Sequence, residues 1–389
     1  MRSLVVDNGS HTIKAGYRDD ADTPLTMPNA VARTRRTQRV YVGDLIDQSS
    51  DLAGLYYRTP FERGFLVHWD AQLVIWDRLF SDAVLKCNPQ DTHLTLSEPM
   101  FNFSRVQRTT DEIVFEEYGF HSLVRAPSAS LCARTLNDSE CSVVVDLGHA
   151  CSYAVPLYQG RAVRSAVRRV DVGGRLLTNY LKELVSFRHW DMMDETYIMS
   201  AVKHRSCYVA NDFYDELERA RRDPQSCLLE YVLPDFAHTK QGFVLGQEPQ
   251  IQQAMSANGL QVLRLGNERF AVPEALFHPE DVGLEQGGVH EMVFQAIQAC
   301  APELRPLMYA NVQLAGGQAL VPGIRDRLER ELRALAPADV TVCVSVDESP
   351  GELAWRGGIL DELHGMRLAR SEYLENGADR ALAHFNKYI

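Results

Sequence analysis

Two segments of this 389-residue chain repeat one chemistry. Leu4-Val5-Val6-Asp7-Asn8-Gly9-Ser10 and Val143-Val144-Val145-Asp146-Leu147-Gly148-His149 each run from apolar residues into Asp-X-Gly. A β-branched run of this kind reads as a strand covered on both faces. The Asp then stands at the strand's end, and the Gly lets the chain reverse tightly. One copy would carry little weight, because any buried strand can end this way. Two copies, a domain length apart, suggest two facing lobes with an acidic turn on each. Such a pair suits a phosphate tail carrying Mg²⁺: backbone N–H groups cradle the phosphates, and the carboxylates hold the metal's waters. A third strand, Val312-Gln313-Leu314-Ala315, runs into Gly316-Gly317 and then a helix. The glycines let a ligand approach the backbone, and the helix offers its positive end.

The elements that must position these turns are legible in outline. Strands over Leu4–Asp7 and Thr12–Tyr17 flank the first turn. Asp70 reads as the N-cap of a helix in which Leu73, Trp76 and Phe80 recur at helical spacing. A second helix is expected over Arg105–Tyr118, with Ile113 and Val114 inward. Ile324, Leu328, Leu332 and Leu335 define a third, ended by Pro337. Residues 236–259 are rich in Gln, Gly and Ala and weakly periodic, so they read as an insertion or surface loop. Arg33, Arg35, Arg36 and Arg39 cluster before Tyr41; the plain reading is a solvated loop.

Composition narrows the function classes. The length exceeds one typical core, so two or more domains are expected. The chain is 45% apolar and 24% charged, with a formal net charge of −12. That balance argues against a dominant sequence-independent grip on DNA, which needs a basic surface. No apolar stretch approaches the length of a membrane span. None of the eight cysteines form a C-x-x-C pair, which argues against a zinc site. Their mostly apolar contexts point to a reducing compartment.

Further motifs follow in a characteristic order. They are Asp7-Asn8-Gly9-Ser10 with Lys14 and Gly16, Tyr41-Val42-Gly43-Asp44, Trp69-Asp70, Asp146-X-Gly148 with Val155-Pro156, and Gly173-Gly174-Arg175-Leu176-Leu177-Thr178. Gly266-Asn267-Glu268-Arg269-Phe270, Pro273-Glu274-Ala275-Leu276-Phe277, Ala315-Gly316-Gly317, Pro322-Gly323-Ile324 and Trp355-X-Gly357-Gly358 complete the set. In this order they resemble actin and the actin-related proteins over essentially the full chain. Phe115-Glu116-Glu117-Tyr118, Met193-Asp194-Glu195-Thr196 and Tyr231-Val232-Leu233-Pro234-Asp235-Phe236 favour the sixth class of the actin-related proteins.

The resemblance implies an α/β fold of two RNase H-like lobes, each with a central five-stranded sheet, around a nucleotide cleft. Sugar kinases and chaperone ATPases share that core. Four subdomains are implied: 1–28, 60–136 and 353–389; a shortened 29–59; 137–172 and 285–352; and 173–284 with the inserted 236–259. The resemblance also implies ATP or ADP with Mg²⁺. Asn8, Gly9, Ser10 and Lys14 would hold the phosphates. Asp7 and Asp146 would orient the metal through water, and Gly148 would belong to the second phosphate loop. Gly316 and Gly317 would lie against the sugar and diphosphate, Gly174 and Lys203 would flank the nucleoside, and Leu320 would lie near the adenine. The class implies a nuclear, also cytoplasmic, subunit of a chromatin remodeller that exchanges a variant histone.

The departures from actin carry equal information. His11 replaces a glycine, and the second turn has lost an acid and a glycine. His204, Val321 and Gly351 replace nucleoside-side groups. Ser128 and Tyr153 stand where actin positions the attacking water. Ser is too short for that task, Tyr is a poor base near neutrality, and Pro127 is expected to disturb the helix it precedes. His149 is the one nearby substitute base; its alternative is to cap the turn. The segment Val31–Tyr41 is shorter than actin's filament loop, so no homopolymer is expected. A scaffold whose partners dock partly through 236–259 accounts for these departures. A cycling ATPase is the competing reading, and a kinase or chaperone lacks its further site or domain.

Overall fold

The structure is a computed structural model. It describes all residues except 21, 35–37, 49–54, 137–139, 237–238, 240, 249–258 and 388–389. Arg35 and Arg36, and most of the second half of 236–259, therefore lie outside the described residues.

Each apolar run forms the central strand its composition predicts. Arg2–Asn8 pairs antiparallel with Thr12–Tyr17 and parallel with Thr92–Glu98, which in turn pairs parallel with Ser122–Pro127. Leu25–Pro28 and the short Leu368–Ala369 complete a six-stranded sheet. The second lobe repeats the plan. Cys141–Leu147 pairs antiparallel with Ser152–Tyr158 and parallel with Val312–Ala315, and Val344–Val346 continues it. This sheet also has six strands, because Arg161–Ala162 and Arg168–Val170 both pair with Ser152–Tyr158. The five-stranded expectation is thus one strand short in each lobe, and the additional strands are two or three residues long. Two smaller sheets cap the lobes, Val31–Thr34 with its neighbours and Leu229–Val232 with its own.

Leu4, Val6, Ile13, Leu94 and Leu123 are buried in the core of one lobe, and Val143, Val145, Leu314, Ile324 and Leu328 in that of the other. A third cluster joins the sheets: Val124 and Ala126 from one, Val144 and Val155 from the other, with Leu131 and Leu353 between. Here the helices Ser128–Ala133 and Leu353–Ile359 approach so closely that a side chain at Gly357 would meet the carbonyl of Leu131. The Trp355-X-Gly357-Gly358 motif is therefore a packing motif of the hinge.

Several expectations need correction. The helix Trp69–Phe80 has His68 at its N-cap position, with no capping bond from that side chain; Asp70 lies in its first turn, where it pairs with Arg58 and favours the helix dipole. Pro127 does not disturb the helix Ser128–Ala133. It ends the preceding strand and occupies the N-cap, where its missing N–H is harmless. The helix Ser104–Glu112 continues as a π turn over Ile113–Glu117, burying Ile113, Val114 and Phe115. Within 236–259, Phe243–Val244 forms an edge strand against Tyr231–Val232, and Phe243 is fully buried. That portion is therefore integral to the upper sheet.

Candidate functional site

The first turn is held from below and beside. Asp7 and Asn8 end a central strand, so their side chains emerge where the sheet stops. Ser97, at the end of the neighbouring parallel strand, donates its hydroxyl to Asp7 Oδ1 at 2.6 Å and accepts from the Asn8 amide at 2.9 Å. Asn29, fully buried, donates to the carbonyl of Gly9 at 2.8 Å, and Gln72 accepts from Asn8 Nδ2 at 3.2 Å. Lys14 sits opposite Asp7 in the antiparallel register, with Nζ 3.7 Å from its carboxylate. Ser97, Asn29 and Gln72 were not among the residues expected from sequence. Ser97 alone had a readable signal, its place at the C-terminal end of a parallel strand.

The second turn is built the same way with different groups. Asp146 takes the place of Asp7, and Tyr153 stands opposite it as Lys14 does opposite Asp7. Ser128 donates to Asp146 Oδ2 at 3.2 Å. Tyr153 is buried, and its oxygen accepts from Arg169 Nη1 at 3.0 Å. Burial also drives its hydroxyl well above the ordinary phenol range, which removes it as a base at neutral pH. The carbonyls of Gly148 and His149 accept the amides of Gly174 and Arg175, so this turn caps the helix Gly174–Arg188. Asp146 is raised to about 6, first by burial and then by the charge of Asp7; Ser128 and Lys14 pull the other way. Asp146 thus feels the charge of Asp7 across the cleft.

His11 and His149 meet between the turns. Their rings stack with centroids 4.3 Å apart and planes 18° from parallel. His149 is held well below the ordinary imidazole value, chiefly by burial and then by the charges around it. His11 is lowered to about 4 by the same causes, Lys203 being the first of its charged neighbours. His11 is open to the upper cleft, so solvent screens it more than burial alone would suggest. Both rings are neutral at pH 7 and stack without repulsion.

The expected site residues divide into two groups. Asp7, Asn8, Gly9, Ser10 and Lys14 line one cavity of about 190 Å³. Asp146, Gly148, Gly316 and Gly317 line it from the other lobe, with Ser128 and Tyr153. The other three stand apart. Leu320 is 56% exposed and lines neither this cavity nor the larger cleft above it. Lys203 is buried and donates to the carbonyl of Gly174 at 2.8 Å, bracing two helices. Gly174 faces Gln318: a Cβ there would stand 2.5 Å from Gln318 Nε2.

A nucleotide of the kind the resemblance implies would meet this site in two halves. The phosphate and metal half suits the residues present, since the tight turns, Ser10, Lys14 and the two acids share one cavity. The nucleoside half does not, because the Gln318 amide lies against Gly174, within the space a Cβ there would need. The cavity is also below the roughly 300–1,000 Å³ usual for small-molecule sites. Among the described residues no cluster of three or more His, Cys, Asp or Glu could hold a metal, and all eight cysteines are free.

Comparison with known proteins gives a consistent result. The family described as Actin matches residues 1–385. "Actin-like protein ARP6" of Cryptococcus neoformans is 38% identical, the match covering 99% of this chain and 84% of that protein. "Actin-related protein 6" of Drosophila melanogaster is 37% identical, over 91% of each. "Actin-like protein ARP6" of Yarrowia lipolytica is 38% identical, over 96% of this chain and 95% of its own length.

Proposed function

The chain belongs to the actin family, in the group of its relatives named actin-related protein 6, and from that premise we propose that it is a non-polymerising scaffold subunit of a nuclear chromatin remodeller that exchanges a variant histone. The observation that carries the reading is the state of the reactive positions. Ser128 is engaged with Asp146 and Tyr153 with Arg169, so neither is placed to orient an attacking water. Water positioning is a large part of phosphoryl transfer to water. His149 fares no better as a base: its ring is stacked on His11, and burial weakens its hold on a proton.

Nucleotide binding is general in the actin family. Here the frame suits phosphates with Mg²⁺ and leaves turnover without its usual groups, which favours a fixture over a cycling ATPase. The shortened second subdomain supports the lack of filaments. Val31–Thr34 and Val40–Val42 pair antiparallel, and the Thr34 amide donates to the Arg39 carbonyl, so five residues join the strands in place of a long loop that could enter a neighbouring subunit. Arg33 and Arg39 are exposed there, and like charges facing each other between copies would repel.

The test is affinity purification of the tagged full-length chain from nuclear extract, with the bound proteins identified by mass spectrometry. Remodeller subunits and a variant histone are expected at constant ratio. A chain recovered alone, or one that sediments as filaments under polymerising salt, ends the proposal. Phosphate release by the isolated protein that Asp146→Ala abolishes would favour the ATPase reading instead.

A further inference from the structure

The cleft between the lobes is bridged by the chain's own side chains along the path a nucleotide would take. Starting from the lobe of the second acidic turn, Gln318 lies against Gly174, within the space a side chain at 174 would need. A Cβ on the same glycine would also stand 3.3 Å from His149 Nδ1, so the three groups form one wall. His149 then stacks on His11, which belongs to the other lobe. At this wall the cavity of about 190 Å³, which holds the acids, adjoins the cleft of about 1300 Å³ above. His11, His149 and His204 line both spaces.

The geometry points to a self-occluded cleft: Gln318 fills the nucleoside strip, and the His11–His149 stack joins the lobes where the phosphate tail would pass, so this chain holds its closed form without a nucleotide. Three details argue for it. Lys203 gives its ammonium to a backbone carbonyl, leaving the nucleoside flank no free cation at that position. Leu320 is exposed and lines neither space, so it gives an adenine no floor there. The lobes are also clasped away from the wall. Arg169 Nη2 donates to the carbonyl of Arg63 at 2.8 Å, and Tyr197 donates to Asp47 at 3.1 Å. Gln318 Oε1 is buried and meets no donor among the described residues. An amide in that state is held by packing, and trimming it removes an unsatisfied group as well as the obstruction. The inference stands apart from the question of which complex holds the chain.

Two measurements test it on the full-length protein. The first is the small-molecule content released on denaturing protein purified without added nucleotide, together with the melting temperature with and without about 1 mM Mg-ATP or Mg-ADP. A ligand that binds only the folded state raises the melting temperature by mass action. No released nucleotide and no shift are expected; near-stoichiometric nucleotide, or a saturable shift in the wild type, overturns the inference. The second is the double variant His11→Gly with Gln318→Thr, read by titration with a fluorescent ATP analogue and Mg²⁺. It is expected to bind at least about tenfold more tightly than the wild type, a change of about 1.4 kcal/mol. A folded double variant as indifferent as the wild type shows that these side chains are not the obstruction, and the inference falls. If the double variant does not fold, Gln318→Ala is read in the same titration against the same two outcomes. Neither arm involves partner proteins, so the scaffold reading can fail or survive independently.

Discussion

Gly316 and Gly317 are neighbours under opposite constraints. Gly316 has φ +85° and ψ 164°, a conformation essentially reserved for glycine, and a Cβ there would stand 2.5 Å from the carbonyl of Leu147 and 2.8 Å from Asp146 Oδ1. Around Gly317 nothing lies within 4 Å of that position. Gly316→Ala is therefore expected to lose about 2–4 kcal/mol of stability in urea unfolding, and Gly317→Ala under about 0.5 kcal/mol. Equal losses would show that the turn is not packed against the second acidic loop as described. Lys203 gives a signed pH test. Burial lowers it from its ordinary 10.5 to about 8, and it is 3% exposed. Between those values the unfolded chain binds more protons than the folded one, so stability rises with pH across the window. Lys203→Met removes that term while Thr178 still donates to the Gly174 carbonyl. The wild type should gain on the variant by about 2 kcal/mol between pH 8 and 10 in urea unfolding. A flat difference would place Lys203 in contact with water.

Within single elements the balance between local pattern and long-range packing becomes visible. The strand Ser122–Pro127 carries Arg125, which is 1% exposed and donates to Glu98 at 3.0 Å and to Asp111 at 3.1 and 3.3 Å. Asp111 is already raised to about 6 by burial despite the guanidinium beside it. Arg125→Met would leave two buried carboxylates uncompensated, a loss of about 3–5 kcal/mol. Asp111 would then rise further and take up a proton, so the defect should shrink between pH 8 and pH 5 in denaturant unfolding. A defect independent of pH would mean that lost packing, and not stranded charge, dominates. Such pairs have no local signature, which marks where sequence reading stops. The central strands and acidic turns were legible because a β-branched run and Asp-X-Gly are contiguous. The helix Ile324–Leu335 was legible because its apolar face repeats within the helix. Asp70 misled because a good capping type stood two residues inside the true start at His68. Ser97, Asn29, Gln72 and Gln318 reach the site from four separate segments, so no spacing in the sequence links them to it. Phe243 was hidden in a weakly periodic stretch because a two-residue edge strand is too short to show alternation.

At the scale of the whole molecule, something must keep the small three-stranded sheet that stands for the expected second subdomain in place. Among the described residues this sheet of Val31–Thr34, Val40–Val42 and Leu55–Arg58 encloses four buried apolar residues, Ala30, Ala32, Ile46 and Leu55. A core of that size does not stabilise three short strands alone. Tyr197, from the opposite lobe, completes it: the ring lies parallel to Tyr57 at 6.5 Å, and its hydroxyl donates to Asp47 at 3.1 Å. Phe236 packs against the same cluster from that lobe. The subdomain thus folds onto its partner across the cleft, and closure and local order are one event. Tyr197→Ala removes the ring and the hydrogen bond together, worth about 2 kcal/mol at this half-buried contact. Amides in Val31–Thr34 and Leu55–Arg58 should then exchange roughly thirtyfold faster, whereas those in Cys141–Leu147, deep in the other lobe's sheet, keep their protection. Hydrogen exchange resolved by mass spectrometry distinguishes the alternatives. Loss confined to the second subdomain supports a clasp, loss spread evenly over both lobes indicates general destabilisation, and no loss shows that the subdomain holds its shape without crossing the cleft.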